Sequence, residues 1–159
     1  MRVADLMTSA VADCSPEESI RTAAKRMVDC HCGCLPITVC DGGEKRLVGI
    51  VTDRDLACRA VAVGLDPEHT EVGRCMSFPV QTITRDADLG ECADRFTILN
   101  IRRLVVVDAQ NRCLGIISRA DLQRFVTDTA TTEGRDQQPT TPQARELYHA
   151  TPGTEPFAS

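Results

Sequence analysis

The sequence predicts an α/β (α+β) protein built from two β-α-β-β-α repeats, with small sheets covered by helices on one side. Three observations carry this reading. Three separate phrases of the chain recur in the same order. Short apolar runs alternate with segments whose apolar residues fall at helical spacing. The core must be aliphatic, because the 159 residues include no Trp, one Tyr and four Phe.

The duplication is the firmest of the three. Val3-Ala4-Asp5-Leu6-Met7 returns as Val72-Gly73-Arg74-Cys75-Met76, 69 positions on. Leu35-Pro36-Ile37 returns as Leu104-Val105-Val106. Gly49-Ile50-Val51-Thr52-Asp53-Arg54-Asp55-Leu56 returns as Gly115-Ile116-Ile117-Ser118-Arg119-Ala120-Asp121-Leu122, 66 positions on. The difference falls in the turn Cys40–Lys45, which holds Gly42-Gly43 and is longer than Ala109–Asn111. Turns accept insertions that helices and strands do not.

Within the first copy, Ser15 and Glu18 have capping-box spacing for a helix over 17–29, with Ile20, Ala23, Ala24 and Met27 on its buried face. A strand follows from Leu35 to Val39, then a turn, a second strand from Arg46 to Val51, and a helix starting at Thr52 or Asp53. Leu56, Ala57 and Ala60 are its expected buried face. The second copy places Leu89, Cys92, Ala93 and Phe96 on its first helix, strands near 103–107 and 112–117, and a helix near 119–126. The expected organisation is thus repeat one over 1–62, a linker over 63–71, repeat two over 72–126 and a tail over 127–159. That tail has eight Thr, half of the prolines and few large apolar residues, so it is expected to be mostly disordered, with a helical turn around Ala144–His149.

The chemistry concentrates where each second strand becomes a helix. Gly49 and Gly115 allow another backbone to approach closely. Thr52 and Ser118 stand at helix N-caps, where a hydroxyl and free N–H groups attract an anion. Asp55 and Asp121 lie one turn further. A carboxylate repels phosphate but accepts from the paired hydroxyls of a ribose. Phosphate at the helix start and ribose one turn away describe a nucleotide, although the same four residues would serve as plain helix caps.

The doubled pattern Gly-apolar-apolar-Thr/Ser-x-x-Asp, with Gly33-Cys34-Leu35-Pro36-Ile37 and Arg102-Arg103-Leu104-Val105-Val106 before it, resembles the cystathionine-β-synthase (CBS) domain family. The pair resembles a Bateman module, as in small stand-alone bacterial CBS proteins, and covers residues 3–126. The resemblance implies sheets packed face to face with helices outside, and clefts that take an adenosine-containing ligand such as AMP, ADP, ATP, NAD or S-adenosylmethionine. It gives Asp55 and Asp121 to the ribose and Thr52 and Ser118 to phosphate, with Arg54, Arg102, Arg103 and Arg119 as candidate countercharges. Adenine would meet Val11, Ala12, Pro36 and Ile37 in one copy, and Val80, Gln81, Val105 and Val106 in the other. It also implies a regulator, not an enzyme, that acts as a homodimer on a separate target protein, with no cofactor beyond the regulatory nucleotide.

Two rivals remain open on the sequence. Cys30-His31-Cys32-Gly33-Cys34 offers thiolates and an imidazole suited to metal or redox sensing, but it enters a strand instead of bracketing a turn, and no metal is expected. Five further thiols, Cys14, Cys58, Cys75, Cys92 and Cys113, are scattered at apolar positions and read as small buried residues. The other rival is a ligand-free dimerisation scaffold. No nucleophile has an evident base partner, and a net charge of −5 with few aromatics argues against nucleic acid. The opening MRVADLMTSA lacks a signal-peptide core and no apolar run reaches membrane length, so a cytoplasmic chain with reduced thiols, off the membrane, is expected.

Overall fold

A computed structural model describes residues 1–133. The expected tail from residue 134 onward, with the turn around Ala144–His149, lies outside the described residues. Contacts divide the chain into two units, Met1–Phe125 and Val126–Ser159. The first unit holds both repeats.

The elements are α1 (Val3–Leu6), β1 (Thr8–Ser9), α2 (Ile20–Asp29), β2 (Cys34–Asp41), β3 (Glu44–Thr52), α3 (Asp53–Arg59), β4 (Thr82–Thr84), α4 (Leu89–Ile98), β5 (Arg103–Val107), β6 (Cys113–Ser118) and α5 (Arg119–Glu133). Strands β2 and β3 form a two-stranded antiparallel sheet, and a four-stranded sheet runs in the order β1-β6-β5-β4. The first strand of the second repeat is β4, parallel to β5. Its counterpart in the first repeat shrinks to a single parallel bridge, Cys14 to Ile37.

Three apolar clusters follow from the sequence pattern. One sits under α2 and α3, with Ile20, Ala23, Met27, Leu35, Ile37, Val51, Leu56 and Ala60. A second sits under α4, with Cys92, Phe96, Leu104, Val106 and Ile117. The third joins the two sheets face to face, setting Cys34 and Leu47 of β2 and β3 against Val105, Val107 and Ile116 of β5 and β6. At one end of this interface the Asn111 amide donates to the Leu47 carbonyl at 3.0 Å, and the Leu47 N–H donates back to the Asn111 carbonyl at 3.0 Å.

The repeats exchange their leading segments. The Val3 and Ala4 N–H groups donate to the carbonyls of Ala87 and Arg85, and Val3 is buried in the second repeat's cluster. Strand β1 pairs with β6, Thr8 opposite Ile116 and Ser9 opposite Gly115. Reciprocally, Val72 and Cys75 are buried in the first repeat's cluster, and Ser77 exchanges both backbone bonds with Ile50 of β3. In space the leading segments cross over: residues 3–9 pack on the second repeat and residues 72–77 on the first. The glycines explain the register. A Cβ on Gly115 would collide with the Thr8 carbonyl oxygen, and one on Gly49 with the Met76 sulfur.

Several expected elements shift. Helix α2 starts at Ile20, capped by Ser19, whose hydroxyl accepts from the Thr22 N–H at 3.2 Å. The Ser15–Glu18 pair is a turn in which Glu18 accepts from the Ser15 N–H at 2.8 Å. Arg26 claims the same carboxylate at 2.7 and 2.9 Å. Helix α5 continues to Glu133, past the expected end at 126. The Thr-rich stretch 127–133 is a weak helix former but contains no Gly or Pro to stop an established helix; the first such residue is Gly134. Ala57, Ala93 and Cys58 are exposed, not buried as expected.

Candidate functional site

Both strand-to-helix junctions are complete capping boxes. At the first, Asp55 Oδ2 accepts from the Thr52 N–H at 2.9 Å and from its hydroxyl at 2.7 Å, and the Asp55 N–H donates back to Thr52 Oγ1 at 3.1 Å. At the second, Asp121 Oδ2 accepts from the Ser118 N–H at 2.8 Å and hydroxyl at 2.7 Å, and the Asp121 N–H returns to Ser118 Oγ at 3.3 Å. The other carboxylate oxygen of each faces an arginine on its own helix, Arg59 for Asp55 at 3.5 Å and Arg124 for Asp121. Burial raises the Asp121 carboxyl, but hydrogen bonds from the Ser118 hydroxyl and N–H and the Arg124 guanidinium outweigh it and hold the carboxyl below its usual range. Each aspartate is thus held by its own helix through both carboxylate oxygens.

The second junction opens into a cavity of about 540 Å³. Ser118, Asp121, Ile116 and Arg103 of the second repeat line one side. Thr8 through Ala12 line another, and Cys30 through Cys34 a third. Arg103 is half-buried and makes no side-chain hydrogen bond or ion pair among the described residues. Its guanidinium passes where Gly33 lacks a side chain: a Cβ there would stand 3.3 Å from Arg103 Nη2 and 3.0 Å from Asp53 Oδ2.

The cavity regroups the expected site residues. Val11 and Ala12, expected to serve with Pro36 and Ile37 of their own repeat, line this cavity with Ser118 and Asp121, and Ala12 also packs against the first repeat's cluster that holds Ile37. Pro36, Ile37, Val105 and Val106 are core residues with almost no exposed surface, and none of them lines this cavity. Val80 packs beside the sheet-to-sheet cluster, and Gln81 is exposed. Arg119 does not reach the cavity, since its Nη2 donates to the Phe96 carbonyl at 2.5 Å, closing the end of α4. Arg54 and Arg102 are exposed.

Sequence reasoning missed two features. One is the exchange of leading segments, visible only as the requirement for Gly49 and Gly115. The other is a matched pair of arginines: Arg26 donates to the Asp13 carbonyl at 2.6 Å and Arg95 to the Thr82 carbonyl at 2.7 Å, tying each first helix to the segment before it. These stand 69 positions apart, the spacing of the repeat. A second cavity of about 580 Å³ surrounds this tie in the first repeat, where Asp13 also accepts from Thr38 at 2.5 Å and Lys45 at 2.9 Å.

Residues 3–60 and 72–128 each match the family model of the CBS domain. The chain belongs to the CBS domain family. Among relatives, Hypoxic response protein 1 of Mycobacterium tuberculosis is 29% identical over 79% of this chain and 85% of its own length. A structure of Hypoxic Response Protein I, solved with two coordinated zinc ions, superposes with a TM-score of 0.68 over 78% of this chain and 98% of that one. The CBS domain pair of protein MJ0100, solved with 5′-methylthioadenosine and S-adenosylmethionine, is 27% identical, with a TM-score of 0.71 over 81% and 98% of the two chains. CBS domain protein PAE2072 from Pyrobaculum aerophilum, solved with AMP, is 26% identical, with a TM-score of 0.67 over 82% and 99%. The fold is that of a CBS pair. Among the described residues no group of three or more His, Cys, Asp and Glu is placed to hold a metal ion, and no helix is long and apolar enough to cross a membrane.

Proposed function

We propose that this CBS pair is a non-catalytic regulatory module that binds an adenosine-containing ligand in the cleft at Ser118 and Asp121. One observation carries the reading: a single cavity gathers an ionised carboxylate, a hydroxyl at a helix start, an unpartnered guanidinium and the apolar Val11 and Ala12. Asp121 would receive the ribose hydroxyls, Ser118 and Arg103 the phosphate, and Val11 and Ala12 the base. CBS pairs of similar sequence and fold solved with AMP or S-adenosylmethionine support the ligand class. Thr52 and Asp55 would form the corresponding second site.

The module would act as a homodimer on a separate target protein, through the ligand's unequal affinity for two arrangements of the paired domains. Of the apolar helix face Leu56, Ala57, Ala60 and Val61, Leu56 and Ala60 are buried within the chain, while Val61 is 72% exposed and lines an outer groove with Ala57 and Val28, 71% exposed, which supports the pairing. Calorimetric titration with AMP, ADP, ATP, NAD and S-adenosylmethionine tests the ligand reading; saturable binding of at least one, weakened by Asp121→Ala, is the expected result. No binding by any of the five would leave the scaffold reading in its place. Light scattering at high micromolar concentration tests the dimer.

A further inference from the structure

The cysteine run has no place in the ligand reading, yet it lines the cavity that reading uses. Its position follows from how α2 ends. The His31 N–H donates to the Val28 carbonyl and the Cys32 N–H to the Met27 carbonyl, with His31 at φ 49°, a Schellman close. The close turns Cys30 through Gly33 across the cavity mouth, where they face Arg103, Ser118 and Asp121. The second repeat ends α4 the same way, with Asn100 at φ 50°, but carries Leu99, Ile101 and Arg102 where the first has Cys30, Cys32 and Gly33. Thiols therefore stand at one mouth of the pair and not at the position related to it by the repeat.

The nine thiols sort by environment. Burial pushes Cys14 up to about 12 and Cys92 and Cys113 up to about 11, and it raises Cys34 and Cys75 as well. Those five stay protonated and inert. Of the four others, Cys40 and Cys58 are exposed away from this cavity. Cys30 lines the same cavity but is exposed, its N–H on the Arg26 carbonyl where α2 ends. Cys32 lies past the helix, half-buried, lining the cavity two residues from Cys34, whose thiol feels the Arg103 charge. In this cavity a cation, a thiol and room for a ligand meet beside Ser118 and Asp121; Cys40, with Arg26 and Lys45, lines the second cavity, away from both.

We propose that Cys32 is a modification site that closes the Ser118–Asp121 cleft: its thiolate exchanges with a small disulfide bearing carboxylates, of the glutathione class, which Arg103 attracts. The Cys32 sulfur attacks one sulfur of the disulfide, the S–S bond breaks, a mixed disulfide forms on Cys32, and the departing thiolate takes up the proton that Cys32 released. The adduct's carboxylates occupy Arg103 and its bulk fills the mouth, so nucleotide and adduct exclude each other. A thiol reductant reverses the step. This inference rests on the nucleotide reading for the competing ligand.

The test uses the full chain, oxidised glutathione and AMP, or whichever of the five compounds binds. The untreated protein is titrated first, which tests the nucleotide reading alone. It is then treated, mapped by peptide mass spectrometry, titrated again, and titrated once more after dithiothreitol. The expected result is an adduct mainly on Cys32, nucleotide affinity lowered about tenfold or more, as for loss of a charge-assisted bond, and recovery on reduction. Cys32→Ser should bind nucleotide like wild type and lose the sensitivity to glutathione. Adducts spread over Cys30, Cys40 and Cys58, or an adduct on Cys32 that leaves affinity unchanged, overturn the proposal while the nucleotide reading stands. If the untreated protein binds none of the compounds, that reading falls; mapping then decides the site alone, and adducts no more frequent on Cys32 than on Cys58 end it.

Discussion

The two strand-to-helix junctions share a backbone and differ in what surrounds them. Thr52–Asp55 and Ser118–Asp121 make the same reciprocal caps within a few tenths of an ångström. Around Ser118 stand Arg103, three cysteines and the segment Thr8–Ala12. Around Thr52, the bridge between Ile50 and Ser77 plays the part of β1 on β6, and the repeat puts Ile101 and Arg102 where the other mouth has Cys32 and Gly33. Duplication has kept the groups that hold the helix start and changed the side chains around it. The cavity at Ser118 draws on both repeats, with Cys30 through Cys34 from the first and Arg103, Ile116, Ser118 and Asp121 from the second.

The largest expected contrast lies in the two glycines. Gly115→Ala drives a methyl into the Thr8 carbonyl, which is backbone held in a strand pair and cannot step aside. Gly49→Ala meets the end of the Met76 side chain, which can change rotamer. We expect about 3 kcal/mol of destabilisation for Gly115→Ala and about 1 kcal/mol for Gly49→Ala, measured by urea unfolding. Equal losses would mean that the two exchanges are equally rigid. The next contrast is in binding. Asp121→Ala should cost about 1.5–3 kcal/mol of nucleotide affinity, as for a hydrogen bond to a charged group, while Asp55→Ala should cost clearly less, because the cavity with Arg103 is at the other mouth. Calorimetry on the two single variants decides; a larger loss in Asp55→Ala would reverse the ranking of the clefts. Third come the caps, where the junctions should behave alike: Thr52→Ala and Ser118→Ala should each lower stability by about 1 kcal/mol, and a thermal midpoint that falls in only one of them would break the equivalence.

How much of this was legible in the sequence follows from what each signal is made of. Strand and helix positions were legible because local periodicity and the repeat reinforce each other: β5 was placed at its observed ends and β6 to within a residue. The start of α2 was misplaced because Ser15-Pro16-Glu17-Glu18-Ser19 holds two capping serines, and Arg26, eight residues downstream of Glu18, takes up the carboxylate that made Ser15 look like the cap. The cap residues Thr52, Asp55, Ser118 and Asp121 were legible because their chemistry is local. The partnership of Val11 and Ala12 with Ser118 was not, since it depends on a strand pairing across more than a hundred residues whose only trace is the glycine at 115. Arg119 and Arg103 looked alike in sequence. One is tied to the Phe96 carbonyl and the other has no hydrogen-bond or ion-pair partner among the described residues, a difference set by where α4 ends.

The smallest expected effect separates the two first helices, and it depends on pH. Arg26 and Arg95 make the same bond to the segment before their helix, but their carboxylate partners differ in kind. Arg95 pairs with Glu91 one turn back on its own helix, with both side chains more than 40% exposed, an arrangement worth little. Arg26 pairs with Glu18 in the turn before α2, with both side chains 31% exposed. The Arg26 guanidinium, with help from Cys14 and the Ser15 N–H, outweighs burial and pulls the Glu18 carboxyl down from 4.5 to about 2. A carboxyl lowered by folding contributes its stability in full above its unfolded value and loses it as pH falls toward the folded one. The Glu18 contribution should therefore be constant from neutral pH down to about pH 5 and fade between about pH 4.5 and pH 2. With the pair partly exposed to solvent, about 1 kcal/mol is its reasonable size. Urea midpoints for wild type and Glu18→Gln should differ at pH 7 and converge near pH 2.5, whereas Glu91→Gln should track wild type at both. A Glu18→Gln deficit that persists undiminished at pH 2.5 would show that the glutamate acts through its shape and its bond to Ser15, not through its charge.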